Sequence, residues 1–196
     1  MELREIVSGI HGIFIKLIVT TGNFGRNSLC PDTHLLDDAG RVFPDMRRLG
    51  EDLCRELSRC AAMEPSAIKY ATVPGHVERI CEHFEHISGL LRTKTLEKIH
   101  FSDKALDEMG LMLERLKDML SDAADMLMDA DARTAELLKR AETAISRSAG
   151  DFAALHDERL REGICLPKAG TLYLGLLEDV KTVAWHLKEM ARDLLE

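Results

Sequence analysis

Apolar residues return every three or four positions along most of this chain, the spacing that gives an α-helix one buried face. Leu3, Ile6, Val7, Ile10, Ile13, Phe14, Leu17 and Ile18 set that rhythm first, and they predict a helix despite their β-branched content. Between Gly22 and Pro44 the composition turns to Gly, Asn, Ser, Pro and Asp, which predicts a long irregular connection with one short turn near Leu35 to Ala39. A second helix is expected from Pro44 to Ala62, ended by Glu64-Pro65, and a third from there to Leu96, kinked or divided at Pro74-Gly75. Phe101-Ser102-Asp103 starts a fourth: Ser102 is placed to cap free amides, Asp103 suits the positive helix end, and Phe101 is spaced to staple onto Leu106. Its seam runs Leu106, Met109, Leu113, Leu116, Leu120, Ala123, Leu127, with Met112, Met119 and Met126 beside it as core filling. Asp131 opens a fifth helix to about Gly163, with Gly150 a soft spot, and Pro167 a sixth that runs to the end.

Six helices invite a search for a repeat, and an offset of 103 residues supplies one. Val77, Ile80, Phe84, Ile87 and Leu91 fall on Val180, Val183, Leu187, Met190 and Leu194, with His83 on His186. The fold class expected is therefore all-α, two tandem three-helix units over residues 1–98 and 99–196.

The 196 residues suffice for a core without covalent staples, and an aromatic content of 5% beside 45% hydrophobic residues favours helix packing over a β-sandwich. Net charge is −8, with 13 basic and 14 acidic residues before position 99 and 13 and 20 after it. That balance offers no positive field to nucleic acid or anionic lipid. Cys30, Cys54, Cys60, Cys81 and Cys165 are odd in number, scattered and without a CxxC pair, which suits free thiols in a reducing cytoplasm better than a disulfide framework or zinc knuckle. The apolar run Ile10 to Val19 is too short for a membrane span and is broken by His11, Gly12 and Lys16, so neither signal peptide nor anchor is expected.

Three stretches carry a family resemblance. His76-Val77-Glu78-Arg79-Ile80-Cys81-Glu82-His83, Ile99-His100-Phe101-Ser102-Asp103-Lys104-Ala105-Leu106 and the run from His156-Asp157-Glu158-Arg159-Leu160 through Gly163, Cys165 and Pro167 to Ala169-Gly170 resemble the L-E-R-I-G-D-H, F-S-x-x-A-L and H-x-E-R-L-x-x-G-x-C-x-P-x-A-G segments of PhoU-type proteins. The likeness is greatest to the PhoU-like domain of bacterial sodium/phosphate cotransporters. It covers about residues 66–196, while residues 1–65 match only as two helices in the right place. The resemblance implies two three-helix bundles side by side and a cytoplasmic, non-enzymatic regulator or adaptor of phosphate uptake that contacts a phosphate transporter or its sensor kinase, with a homodimer among its possible states. The alternative is a metal-binding helical bundle with no phosphate role.

The same resemblance implies a metal-binding carboxylate pair one turn apart, which Glu78 and Glu82 occupy, with Asp52 and Glu56 as the nearest second pair on helix two. Pairs at i and i+4 share a helix face, here opposite the Val77/Ile80/Phe84 seam; oxygen ligands suit iron, manganese or magnesium, and the cation expected is iron, manganese or zinc. An acidic exposed face is otherwise simply solvated. In the second repeat Lys181 and Trp185 stand at the positions of Glu78 and Glu82, and Glu142 and Ser146 form the pair on helix five, so one site at most is expected, in the N-terminal half. Trp185, the sole tryptophan, is expected to be covered by the N-terminal helix or by a second copy of the chain. No Glu-x-x-His triplet for a di-iron centre, Gly-rich phosphate loop, nucleophile elbow or HExxH motif supports catalysis, and His83 and His186 read as exposed or hydrogen-bonded helix residues.

Overall fold

The computed structural model describes residues 2–29, 32–62 and 64–196; Cys30, one of the five thiols, lies outside them. Six helices follow one another: α1 (Leu3–Leu29), α2 (Thr33–Ala61), α3 (Val73–Leu96), α4 (Asp103–Met128), α5 (Ala132–Arg161) and α6 (Pro167–Asp193), with a 3-10 turn, Pro65–Tyr70, before α3. No strand occurs among the described residues. α1, α2 and α3 pack together, α4, α5 and α6 do the same, and the two units join where α1 lies on α4 and α3 on α6.

The start signals read from the sequence are made as hydrogen bonds. Ser102 Oγ accepts from the Ala105 N–H at 3.3 Å, Asp131 Oδ2 from the Thr134 N–H at 3.1 Å, and Pro167 lies in the first turn of α6. Pro74 divides the third segment: a 3-10 turn precedes it and α3 begins at Val73. Gly150 does not interrupt α5.

Residues 22–44 differ from the irregular connection expected of them. α1 continues to Leu29 and α2 already begins at Thr33, so the connection is short and Pro44 sits inside α2. Burial overrides the local preference of Gly22, Asn23 and Gly25 for turns. Phe24 is buried with its ring 5.8 Å from that of Phe84, and Ser28 folds its hydroxyl back to the Phe24 carbonyl at 2.9 Å. Asn27 donates to the Asp32 carbonyl at 2.8 Å while Asp32 caps α2 through the His34 N–H, so the polar residues close the corner instead of opening a loop. In α2 the buried row Leu36, Ala39, Phe43, Met46 keeps the helical period straight through Pro44. Pro44 is exposed, so the Gly40 carbonyl left without its amide donor faces water.

All ten seam residues matched by the 103-residue offset are buried. The contacts between α3 and α6 obey the same offset reciprocally. Position 83 meets the repeat equivalent of 76 as His83 on Asp179, and position 76 meets the equivalent of 83 as His76 on His186. An approximate two-fold axis therefore passes through the α3/α6 seam, as in the self-complementary interface of a symmetric dimer.

Candidate functional site

The four carboxylates singled out in the sequence lie on neighbouring helices but do not converge. Between α2 and α3 runs a groove of about 420 Å³, lined by Arg47, Glu51, Cys54, Glu78 and Cys81 among others. Of the four, Glu78 alone lines it. Glu82 is exposed and takes the Arg79 guanidinium at 2.8 Å, Asp52 pairs with Arg55 and Glu56 with Arg59. Each of these arginines stands one turn from its acid and neutralises the charge a cation would need. Arg47 bridges the helices to both oxygens of Glu85 at 2.7 and 2.6 Å. Burial pushes the Cys81 thiol up to about 12, which keeps it protonated and a poor ligand. No three or more His, Cys, Asp or Glu among the described residues are grouped so as to hold a metal ion, so the carboxylate set as it stands does not fit the cation.

In the second repeat, Ser146 donates to Glu142 at 2.8 Å and Lys181 to Glu178 at 2.5 Å. Trp185 is 44% exposed. The N-terminal helix does not cover it, because α1 spends its apolar stripe on α2 and α4, whereas Trp185 lies on α6 beside His186, with ring centroids 4.8 Å apart.

Histidines and aspartates gather instead on the pseudo-dyad between α3 and α6. Asp179, 5% exposed, accepts from His83 Nδ1 at 2.9 Å with one oxygen and from His86 Nδ1 at 2.7 Å with the other. A carboxylate only accepts, so both imidazoles carry a proton on Nδ1. His76 presents Nε2 to Asp193 Oδ2 at 3.4 Å, and its Nδ1 lies 3.1 Å from Nδ1 of His186. Burial, then the nearby His76, His83 and Arg79, push the His186 imidazole down to about 4. Burial works against the Asp193 carboxylate, yet bonds from Arg192, Thr72 and His76 outweigh it and hold that group below the usual range. His83 and His186 are hydrogen-bonded, as read from the sequence; the roles of His76, Asp179 and Asp193 were missed. The offset holds the signal that would have found the first two, since it sets His76 over Asp179 as well as His83 over His186.

The most specific stretch of the resemblance forms the corner between α5 and α6. Arg159 grips both oxygens of the buried Glu108 on α4 at 2.9 and 2.7 Å, and the Tyr173 hydroxyl donates to the same carboxylate at 2.5 Å. Burial works against ionised Glu108, but the Arg159 and Tyr173 bonds win and lower its pKa. His156, 1% exposed, lies on the Tyr173 ring at 4.7 Å with no hydrogen-bond partner for either nitrogen, and burial lowers its pKa. Gly170 is needed beside it, for a Cβ there would stand 3.0 Å from Nε2 of His156. Gly163 turns the chain at φ +73°, and the Ile164 N–H bonds back to the Arg159 carbonyl at 2.9 Å. This motif builds the second bundle, and its Glu158, Arg159 and Glu162 also line a groove of about 510 Å³ beside Lys104 and Asp107 of α4.

Helices, seams and corner together define an all-α protein of two tandem three-helix bundles. Among solved structures the chain is similar to the phosphate transport system regulatory protein PhoU from Streptococcus pneumoniae, with a TM-score of 0.87 and 13% identity over 98% of this chain and 93% of that one. It is similar also to PhoU from Pseudomonas aeruginosa, with a TM-score of 0.84 and 14% identity over the same shares. The fold is that of the PhoU proteins. No protein-family model and no curated protein sequence matches the chain. The nearer likeness to the cotransporter domain rests on the sequence motifs alone.

Proposed function

We propose that this protein is a PhoU-like regulator of phosphate transport or phosphate signalling, which acts by docking its helical surfaces on a phosphate transporter or its sensor kinase and not by catalysis. The observation that carries the reading is the match of nearly the whole chain, α1 to α6, to two PhoU structures, one of them described as a phosphate transport system regulatory protein. The three motif stretches support it independently, because they recur in this chain at the α3 face, the α4 cap and the α5–α6 corner. No described helix is long and apolar enough to cross a membrane, which suits a protein that binds a membrane transporter from outside the bilayer. In this reading the protein works in the cytoplasm, singly or as a homodimer through the face around Trp185. Deleting the gene and measuring phosphate uptake in phosphate-replete cells tests the proposal. Uptake that escapes repression, and is restored by the intact chain, supports it; unchanged uptake leaves the alternative of a metal-binding bundle with no phosphate role.

A further inference from the structure

We propose that the groove between α2 and α3 is a docking site for an amphipathic helix of a partner protein, one that lays apolar side chains on the floor and carries lysine or arginine at its edges. The inference rests on the reading of the protein as one that acts through its helical surfaces, and it names the surface and the chemistry that lands there. The groove exists because the rows that meet across it are short. Gly50, Cys54 and Ser58 recur one turn apart on α2, and Pro74, Gly75 and Cys81 line the same groove from α3. A Cβ on Gly50 or on Gly75 would meet nothing within 4 Å, so packing inside the chain requires neither glycine. A glycine within a helix costs stability relative to alanine, and its use is to let another backbone come close. Gly50 holds open a space that a partner can enter.

Length and lining suit a helix. Arg47 meets Glu85 at one end and Ser58 shares the other with Pro74, so α2 and α3 run antiparallel along the groove. From Met46 to Ser58 α2 rises about 18 Å, at 1.5 Å for each of twelve steps, which matches a little over three turns of an incoming helix. Such a helix presents anchors at i, i+3 or i+4, and i+7. The floor that receives them is Met46, Val77 and Cys81, all buried, with Cys81 a protonated thiol that packs as a small apolar group. Charge at the edges selects the partner. Arg47 is spent on Glu85, Arg55 on Asp52 and Arg79 on Glu82. Glu51 and Glu78, on opposite banks, form no hydrogen bond or ion pair among the described residues. The groove therefore offers two uncompensated carboxylates beside an apolar floor, which attract a basic helix and repel an acidic one or an anionic surface. Lys181 stands at the repeat position of Glu78, so the second bundle does not duplicate this charge.

The test pans a phage-displayed library of helical peptides on the full chain, then measures the enriched peptides, made synthetically, by fluorescence anisotropy. Enriched sequences should carry apolar residues at i, i+3 or i+4, and i+7, with lysine and arginine outnumbering aspartate and glutamate. Gly50→Leu fills the groove without a clash and should weaken binding by about tenfold or more, while folding at least as well as the parent by circular dichroism. The Glu51→Lys/Glu78→Lys double variant should weaken it by about tenfold and flatten its dependence on salt. Lys117→Gln, on the exposed face of α4, should bind as the parent does. No enrichment on the parent, enriched peptides of acidic character, or binding to folded Gly50→Leu as tight as to the parent would each overturn the assignment. Phosphate uptake enters none of these readings, so a groove that takes no helix leaves the regulator reading to its own test.

Discussion

Arg159→Met tests whether the H-x-E-R segment is a fold determinant. The substitution keeps the length of the stem and removes the only cation among the described residues bonded to Glu108, whose side chain is 10% exposed. A buried ion left alone costs about 3–5 kcal/mol. Glu108 has one escape, protonation, and at pH 7 neutralising a carboxyl of ordinary value 4.5 costs about 3.4 kcal/mol, 2.5 units at 1.36 each. The expected loss at pH 7 is therefore about 3–4 kcal/mol, read as the shift in urea unfolding followed by far-ultraviolet circular dichroism. A carboxyl protonated in the native variant and ionised in its unfolded chain makes that cost shrink by about 1.4 kcal/mol for each pH unit down to 4.5. At pH 5 the variant should stand within about 1–2 kcal/mol of the parent. Glu108→Gln on top of Arg159→Met should restore most of the stability at pH 7, because no buried charge then remains. A loss below about 1 kcal/mol at pH 7, or the same loss at pH 5 and pH 7, would refute the network as the reason for the motif.

Other outcomes follow from single residues. Gly170→Ala sets a Cβ 3.0 Å from Nε2 of His156 and 3.2 Å from Cδ1 of Leu160, two packed side chains, and should cost about 1–3 kcal/mol in the same unfolding assay. Trp185, 44% exposed, should be readily quenched by acrylamide, and Trp185→Glu should change stability by no more than about 0.5 kcal/mol; protection from quenching, or a change of mass in the variant, would mean that a second copy covers the face. The wild-type chain should lose stability as pH falls below about 6.5. There the unfolded His156 gains a proton that its buried native form refuses, so His156→Phe should flatten the fall by no more than about 1.4 kcal/mol per pH unit.

Helix period, caps and proline positions made the six helices legible, and the repeat announced the seams. Residues 22–44 were not legible, because what holds them helical is distant in the chain: Phe24 against Phe84, and Lys94, buried at 4% exposure with its ammonium 3.4 Å from the Ser28 carbonyl. Local composition carries no trace of such contacts. The candidate cation site was read on the carboxylate face of α3. Sequence alone does not show that Arg79 closes on Glu82, Arg55 on Asp52 and Arg59 on Glu56. His83 and His186 read as exposed or hydrogen-bonded helix residues, and α6 laid against α3 supplies their partners Asp179 and His76. Trp185 was expected under cover because its face lacks carboxylates, but α1 turns its apolar stripe to α4 and leaves that face open.

Affinity purification of a tagged chain from phosphate-replete and phosphate-starved cells, with quantitative mass spectrometry, tests the central claim most directly. The account predicts that a phosphate permease component or its sensor kinase is enriched, and that the enrichment changes with phosphate supply. Recovery of neither in either condition, together with phosphate uptake that ignores deletion of the gene, would contradict it.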